Sequence, residues 1–172
     1  MDQKESVVAD WGPRLEAGLR GPAGLLVLIL AVNAVGAAPA LLAGPGTEWF
    51  AELTKPAIYP PPVVFGVVWT TLFSLQGVAV WLVVRGSEGT DRLSALALFG
   101  AQFFVNLAWT PTFFGLRAVG AALLVALGLV PLILVTIRSF ARIDRRAGYL
   151  LVPYLVWAAF AVLLTYRFLV VN

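Results

Sequence analysis

The 172-residue sequence contains neither cysteine nor histidine, and only 12% of its residues are charged. Without cysteine, a disulfide, a thiolate nucleophile and a thiolate metal site are all excluded. Without histidine, the commonest metal ligand and the usual proton shuttle are missing, so we expect no metal site and no Ser–His–Asp chemistry. A soluble domain usually carries about 25% charged residues. The shortage of charge therefore argues against an ordinary soluble enzyme and against a nucleic-acid binder with a basic surface.

Hydrophobic residues make up 60% of the chain instead. A transmembrane helix needs about 20 apolar residues, and five uninterrupted stretches without Asp, Glu, Lys or Arg reach that length. They are Gly24–Ala43, Val63–Val84, Leu93–Phe113, Ala118–Ile137 and Ala147–Tyr166, the last continuing toward residue 170. No period-two alternation favours a β-barrel. We therefore expect an all-α membrane protein, a five-transmembrane-helix bundle over residues 23–172, preceded by a polar N-terminal tail over residues 1–22.

Basic residues are divided unequally between the two ends of the predicted bundle. The tail, the second loop and the fourth loop, Arg138–Arg146, carry nine Lys and Arg, whereas the first loop, the third loop and the C-terminal end carry three. The positive-inside rule then places the N-terminus in the cytoplasm and the first loop outside, most simply in a prokaryotic cell membrane. The alternative is the reverse orientation in the outer membrane of an organelle.

The first span also has features of a signal peptide, with Ala38-Pro39-Ala40 as a cleavage site. The apolar run continues through Leu41 and Leu42, which favours a helix that is retained.

Ionisable residues are absent from all five predicted spans, which argues against an ion-coupled transporter or a proton pump. Among the mildly polar residues, Gln102 and Asn106 lie four positions apart on the third span. Trp109 and Phe113 follow on the same face of a helix. Such a face suits either a helix–helix contact or a polar anchor inside an apolar pocket.

Four of the six tryptophans fall in the outer half of the predicted bundle or in the loop above it. They are Trp49, Trp69, Trp109 and Trp157. One interpretation is an aromatic belt at the membrane surface, which suits Trp81 at the other end of the second span. The other is an aromatic cavity for a small molecule. The proline-rich first loop, Gly44–Pro62, is either a stiff connector or a lid over that cavity.

Four motifs, in the same order along the chain, resemble the TspO/MBR family of tryptophan-rich sensory proteins and translocator proteins, also called peripheral-type benzodiazepine receptors. They are W-x(5)-K-P at Trp49–Pro56, V-W-T at Val68–Thr70, A-Q-x(3)-N-x(2)-W-T-P-x-F-F-G at Ala101–Gly115 and V-P-Y-L-x-W-A-x-F-A at Val152–Ala161. The third motif is the most specific. The resemblance covers roughly three quarters of the chain.

The resemblance implies a five-helix membrane bundle whose cavity, opening under the first loop, binds porphyrins and other hydrophobic small molecules. Protoporphyrin IX or haem is the expected ligand, no cofactor is obligatory, and no catalytic residue is implied. Carried over by motif, the candidate ligand-binding residues are Trp49, Lys55, Pro56, Trp69, Gln102, Asn106, Trp109, Trp157, Phe160, Ala161 and Leu164. The sequence departs from the family at Ala57-Ile58, where aromatic residues are frequent. Tyr166 and Arg167 are adjacent, so the sterol-binding pattern is not satisfied.

Three functions fit this resemblance. The first is a sensor or regulator that binds tetrapyrroles by stacking, with Lys55 or nearby donors meeting the ligand's propionates. The second is a transporter of tetrapyrroles or lipids. The third is an enzyme that degrades a bound porphyrin in light and oxygen through a tryptophan radical.

The expected partners are the hydrophobic ligand, the lipid bilayer and a second copy of the chain, and not nucleic acid. The family implies a homodimer, and a stripe of small residues on the third span permits close helix approach. The candidate interface residues are Ala97, Gly100, Ala101, Phe104 and Ala108. The same stripe is equally compatible with packing inside one chain.

Overall fold

The structure, a computed structural model, describes residues 17–172, and within this part of the chain the regular elements are helices. In chain order they are α1 (Pro22–Ala43), α2 (Glu48–Glu52), α3 (Pro62–Gly86), α4 (Gly89–Thr110), a π-helical turn (Pro111–Gly115), α5 (Val119–Ile143), α6 (Arg145–Leu150) and α7 (Val152–Val171). Five helical segments of this described part are long and apolar enough to cross a membrane: α1, α3, α4 with the π turn, α5, and α6 with α7. The expected all-α five-helix bundle is confirmed. Of the predicted polar tail, residues 1–16 lie outside the described residues.

The connections at one end of the bundle are shorter than the sequence suggests. The predicted fourth loop, Arg138–Arg146, is a helical corner, because α5 continues to Ile143 and only Asp144 separates it from α6. Asp144 is extended, and its carboxylate accepts a hydrogen bond of 2.7 Å from the backbone N–H of Arg146. An acidic residue in this position caps the first turn of the next helix. The expectation of a four-arginine loop was therefore wrong.

Two glycines allow helices to approach closely. A Cβ atom added at Gly77 of α3 would lie 2.6 Å from Cα of Ile29 in α1. One added at Gly148 of α6 would lie 2.7 Å from Cβ of Ala141 in α5. Small residues at helix interfaces let backbones approach in the membrane, where packing rather than water exclusion holds helices together. These two contacts fix α1 on α3 and α6 on α5.

We call the end of the bundle with the first loop the lid end, and the opposite end, with Arg138–Arg146, the arginine end. The arginine end is filled by apolar side chains from four helices. Val83, Ala95, Phe140 and Ala147 are all fully buried in one cluster. Fully buried apolar side chains in one cluster form a packed core.

Polar contacts tie the beginning of α1 to the arginine end. Trp81 Nε1–H donates a hydrogen bond of 3.1 Å to the backbone carbonyl of Gly21. Arg20 forms an ion pair of 2.5 Å with Glu88, beside the turn between α3 and α4. The Arg20 guanidinium lowers the pKa of Glu88, through its hydrogen bond first and its charge second. Because Glu88 is exposed, this pair contributes little to stability.

Candidate functional site

A cavity of about 600 Å³ lies beneath the first loop at the lid end. Residues from α1, α3, α4, the π turn, α5 and α7 line it. Its size falls within the range of about 300–1,000 Å³ that is typical of small-molecule sites. The exposed residues Ala37, Gly46, Pro62 and Gly66 border it, so it reaches the surface between the end of α1 and the beginning of α3. We call this opening the mouth.

The first loop packs as a lid. Its helix α2 begins at a Thr47 cap, where the Phe50 N–H donates to Thr47 Oγ1 at 3.3 Å. Phe50 is buried, and its ring centroid lies 5.0 Å from that of Phe114 and 5.9 Å from that of Phe168. Contacts between aromatic rings at these distances are favourable. The loop is therefore held against the bundle, as a lid requires.

Lys55, the basic residue of the first motif, is bound inside this loop. Its Nζ donates to the backbone carbonyl of Phe50 and, at 2.9 Å, to that of Leu53. The same atom lies 4.1 Å from the centroid of the Phe50 ring. Since these carbonyls end α2, Lys55 closes the C-terminus of that helix. It does not line the cavity, so the geometry offers no support for the expected contact with propionates.

The last residue of the chain holds the lid from the other side. Asn172 Oδ1 accepts a hydrogen bond of 2.8 Å from the Thr54 N–H, and Asn172 Nδ2 donates to the Thr54 carbonyl at 3.1 Å. Nδ2 also donates to the Phe168 carbonyl at 3.0 Å. The paired bonds connect the lid to the end of α7. Sequence reasoning missed this latch, because nothing in the pattern relates residues so far apart.

The π turn brings two phenylalanines to the cavity. Pro111 has no N–H and cannot continue the hydrogen bonding of α4. Thr112 Oγ1 donates to the Ala108 carbonyl at 2.7 Å, and Leu116 N–H bonds to the Pro111 carbonyl at 2.8 Å. The widened turn stacks Phe113 on Trp109, with ring centroids 5.1 Å apart. Such π turns are frequent at functional sites.

Most of the residues predicted for the site do line the cavity. They are Trp69, Asn106, Trp109, Trp157, Phe160, Ala161 and Leu164. Trp69 reaches it from α3, Trp109 from α4 and Trp157 from α7, so the tryptophans come from three helices. Trp157 lies 5.2 Å from Phe160, measured between ring centroids.

The other four predicted residues lie outside the lining. Besides Lys55, Trp49 packs on the edge of Phe113 at 5.9 Å between centroids. Pro56 is buried in the lid. Gln102 is 1% exposed, one helical turn further from the lid than Asn106, in the packed interior. It makes no hydrogen bond to any described residue, which supports neither of the two roles that its spacing suggested.

Sequence reasoning missed other residues of the cavity wall, among them Asn33, Gly36, Tyr59, Phe65 and Phe73. Phe65 lies one helical turn before Trp69, on the same face of α3, and this spacing could have identified it. The Tyr59 ring lies 5.4 Å from that of Phe65. Burial raises the pKa of the Tyr59 phenol, which keeps it neutral. The position of Tyr59 in the proline-rich loop gave no further indication that this residue lines the cavity.

Two amide side chains supply polar groups to the cavity. Asn33 Nδ2 donates to the Ile29 carbonyl at 2.9 Å and to Ser74 Oγ at 3.1 Å. Asn106 is 8% exposed and lines the cavity from α4. No acidic or basic residue of the described chain lines the cavity. The site is therefore aromatic, with a few uncharged hydrogen-bonding groups.

The small-residue stripe on α4 faces away from the bundle. Ala97, Gly100, Ala101 and Phe104 are exposed, with Phe104 at 72%, and Ala108 is half-buried. A Cβ added at Gly100 would meet no atom within 4 Å. Packing within residues 17–172 does not cover this face, and the homodimer stays a prediction.

The fold and the cavity define a class of protein: a multi-pass helical membrane protein with an aromatic, uncharged cavity beneath a packed loop. The family model described as "TspO/MBR family" matches residues 26–171, and the chain belongs to this family.

Three relatives illustrate the match. The "Tryptophan-rich sensory protein" of Cereibacter sphaeroides is 38% identical over 125 residues, which is 73% of this chain and 77% of that protein. The "Translocator protein" of Homo sapiens is 38% identical over 125 residues, covering 72% and 74% of the two chains. "Protein CrtK" of Rhodobacter capsulatus is 33% identical over 136 residues, covering 78% and 84%.

Proposed function

We propose that the protein binds a tetrapyrrole such as protoporphyrin IX or haem in the cavity beneath the lid, as a membrane sensor or regulator. The observation that carries the proposal is the arrangement of Trp69, Trp109 and Trp157, which reach one cavity of about 600 Å³ from three helices. Aromatic faces stack well on an aromatic macrocycle. The chain has no His or Cys, two common axial ligands of haem iron, so we expect binding to rest on stacking and apolar burial. The word "sensory" in the name of the Cereibacter relative agrees with this role.

The packing below the cavity supports binding rather than passage. Phe73 lies 6.0 Å from Phe103, Phe103 lies 5.4 Å from Phe99, and Phe99 lies 6.1 Å from Phe140, between ring centroids. This row of aromatic side chains fills the bundle between the cavity and the arginine end. A transporter must open it, and a flux assay in proteoliposomes with protoporphyrin IX tests that alternative.

Degradation of the bound ligand has one supporting observation, the tryptophans in the cavity wall. A tryptophan radical can act only on a ligand within reach, and Trp69, Trp109 and Trp157 meet this requirement. The test is illumination of the complex in oxygen. A stoichiometric new chromophore favours degradation, and bleaching identical to that of free porphyrin in detergent contradicts it.

Binding itself is tested by titrating the protein with protoporphyrin IX and following the shift of the porphyrin absorbance. We expect saturable binding that weakens about three- to tenfold in Trp109→Ala or Trp157→Ala, as the loss of one stacked ring implies. Trp81→Ala is the matched control, since Trp81 lies at the arginine end and does not line the cavity. Absence of saturation, or equal weakening by Trp81→Ala, contradicts the proposal.

We infer that the arginine end faces the cytoplasm and the lid end the outside. The support is the clustering of basic residues at one end of the bundle. The absence of natural cysteine makes a clean test, because a single introduced thiol is then the only reporter. In intact cells, an impermeant maleimide should label Glu52→Cys in the lid and spare Arg142→Cys. The opposite labelling contradicts the orientation.

A further inference from the structure

We propose that the helical corner over Arg138–Arg146, which we call the arginine corner, binds the phosphate group of an anionic phospholipid at the edge of the bilayer. Four arginines supply the positive charge: Arg138 and Arg142 on α5, and Arg145 and Arg146 on α6. The corner lies at the opposite end of the bundle from the cavity, so the proposal does not depend on the proposed function.

The charge of the corner is the first argument. All four arginines are exposed, and no acidic side chain of residues 17–172 forms an ion pair with any of them. Asp144 is the acidic residue of the corner, and its carboxylate accepts a hydrogen bond of 2.7 Å from the backbone N–H of Arg146. The corner therefore keeps a net positive charge at its surface.

The backbone of the corner is ordered, which is the second argument. The Asp144 N–H donates to the Phe140 carbonyl at 2.8 Å, at the end of α5. Gly148 of α6 lies so close to α5 that an added Cβ would be 2.7 Å from Cβ of Ala141. Because the two helices are already fixed on each other, no flexible loop has to be ordered when an anion binds, and this lowers the cost of binding.

The spacing of the arginines suits a phosphate. Arg138 and Arg142 are four positions apart on α5, so they lie on one face of that helix. Arg145 follows Arg142 by three positions, on the other side of the corner. Each guanidinium presents a planar fork of N–H donors that matches the oxygens of a phosphate. The corner thus offers such donors from two successive helices.

The neighbouring residues favour a lipid as the source of the phosphate. Val135, one turn before Arg138, is 46% exposed, and Tyr149, one turn after Arg145, is 71% exposed. An exposed valine on a membrane-spanning helix contacts acyl chains, and tyrosine is enriched at the bilayer surface. Clusters of about four to eight basic residues directly beside a transmembrane helix are typical of anionic-lipid binding. We therefore place the arginines at the depth of the lipid headgroups.

The test is native mass spectrometry of the full-length protein released from nanodiscs of phosphatidylcholine with a minor share of phosphatidylglycerol. We expect phosphatidylglycerol to remain bound about tenfold above its share of the bilayer. Both leaflets of a nanodisc have the same composition, so the result does not depend on the orientation of the protein.

Two double variants locate the site. Arg142→Gln with Arg145→Gln should reduce the enrichment of phosphatidylglycerol at least about threefold. Arg117→Gln with Arg167→Gln is the matched control, because it removes the same charge from exposed positions at the lid end. This control should leave the enrichment unchanged.

Equal retention of the two lipids by the unmodified protein refutes the proposal, and this comparison remains valid even if a variant fails to fold. An equal loss of enrichment in both double variants also contradicts it, because net charge rather than the corner would then attract the lipid. Displacement of the bound lipid by an excess of inorganic phosphate contradicts it as well, since the corner would then be a site for small anions.

Discussion

The two ends of the bundle are both built from apolar side chains, but one end is filled and the other surrounds a cavity. At the arginine end, Val83, Ala95, Phe140 and Ala147 are fully buried and leave little space. At the lid end, larger aromatic side chains surround a cavity of about 600 Å³. The long helices extend through both regions, and the π turn at Pro111–Gly115 is a local change of secondary structure at the lid end. The remaining difference lies in how the side chains pack.

The two ends therefore have different roles: the arginine end holds the helices together, and the lid end contains the cavity. Close contacts such as Gly77 against Ile29 and Gly148 against Ala141 hold the helices together toward the arginine end. The lid end can then keep an open cavity, since its helices are already fixed elsewhere. Its closure depends on a lid held by local hydrogen bonds and ring contacts. Substitutions at the arginine end should therefore mainly change the free energy of unfolding, and substitutions at the lid end should mainly change ligand binding or release.

The largest expected contrast is in stability. Phe140→Ala removes a fully buried ring at the arginine end and should lower the free energy of unfolding by about 3 kcal/mol. Phe160→Ala removes a half-buried ring that faces the cavity and should cost less than about 1 kcal/mol while weakening ligand binding. Unfolding in mixed micelles measures both. Equal losses of stability in the two variants would contradict the proposed difference between the filled arginine end and the open lid end.

Glycine substitutions on α3 probe the same contrast. Gly77→Ala places a methyl group 2.6 Å from Cα of Ile29, so α1 must move and stability should fall by about 2 kcal/mol. Gly66→Ala points into open space at the mouth and should gain about 0.5 kcal/mol from better helix propensity. If the temperature of thermal unfolding changes in the same direction for both variants, the contact of Gly77 with Ile29 does not hold α1 on α3.

The latch at the lid end should affect rates more than stability. Asn172→Ala removes two hydrogen bonds to Thr54, and we expect roughly fivefold faster release of bound porphyrin. Glu88→Gln is the control, because it removes an exposed ion pair at the arginine end and should leave release unchanged. Stopped-flow dissociation measures both rates. Unchanged release from Asn172→Ala shows that the lid does not gate the cavity.

The outer face of α4 belongs to neither end of the bundle. Substitutions there should have the smallest effect on ligand binding and stability. If this face forms the homodimer, Gly100→Phe should reduce chemical cross-linking between chains and leave binding and stability nearly unchanged. Gly128→Phe is the control, because Gly128 of α5 is equally open, and this variant should not reduce cross-linking. Full cross-linking in Gly100→Phe refutes this face as the interface.

Much of the architecture could be predicted from composition and motif spacing. The five spans follow from the length of the uncharged runs. The depths of Trp69, Trp109 and Trp157 were compatible with an aromatic belt or with a cavity, and the resemblance of the motifs favoured the cavity. The arginine corner was predicted as a loop because charge was taken as a sign of a connection. Arginine is a good helix former, and α5 extends through Arg138 and Arg142 to Ile143.

The finer features of the site depend on side-chain partners, which spacing does not reveal. Lys55 lies in a motif, yet its hydrogen bonds to Phe50 and Leu53 withdraw it from the cavity. Gln102 and Asn106 share a helix face, but the cavity ends between them. The contact of Asn172 with Thr54 joins residues that are 118 positions apart and has no local pattern.

The central claim, that the lid-end cavity is the ligand site, is tested most directly by filling it. Ala161 lines the cavity on α7, and Ala159 lies exposed on the same helix. The affinity for protoporphyrin IX should fall at least about tenfold in Ala161→Phe, because the ring occupies the space of the ligand, and should stay unchanged in Ala159→Phe. Equal affinities of the two variants would contradict the account.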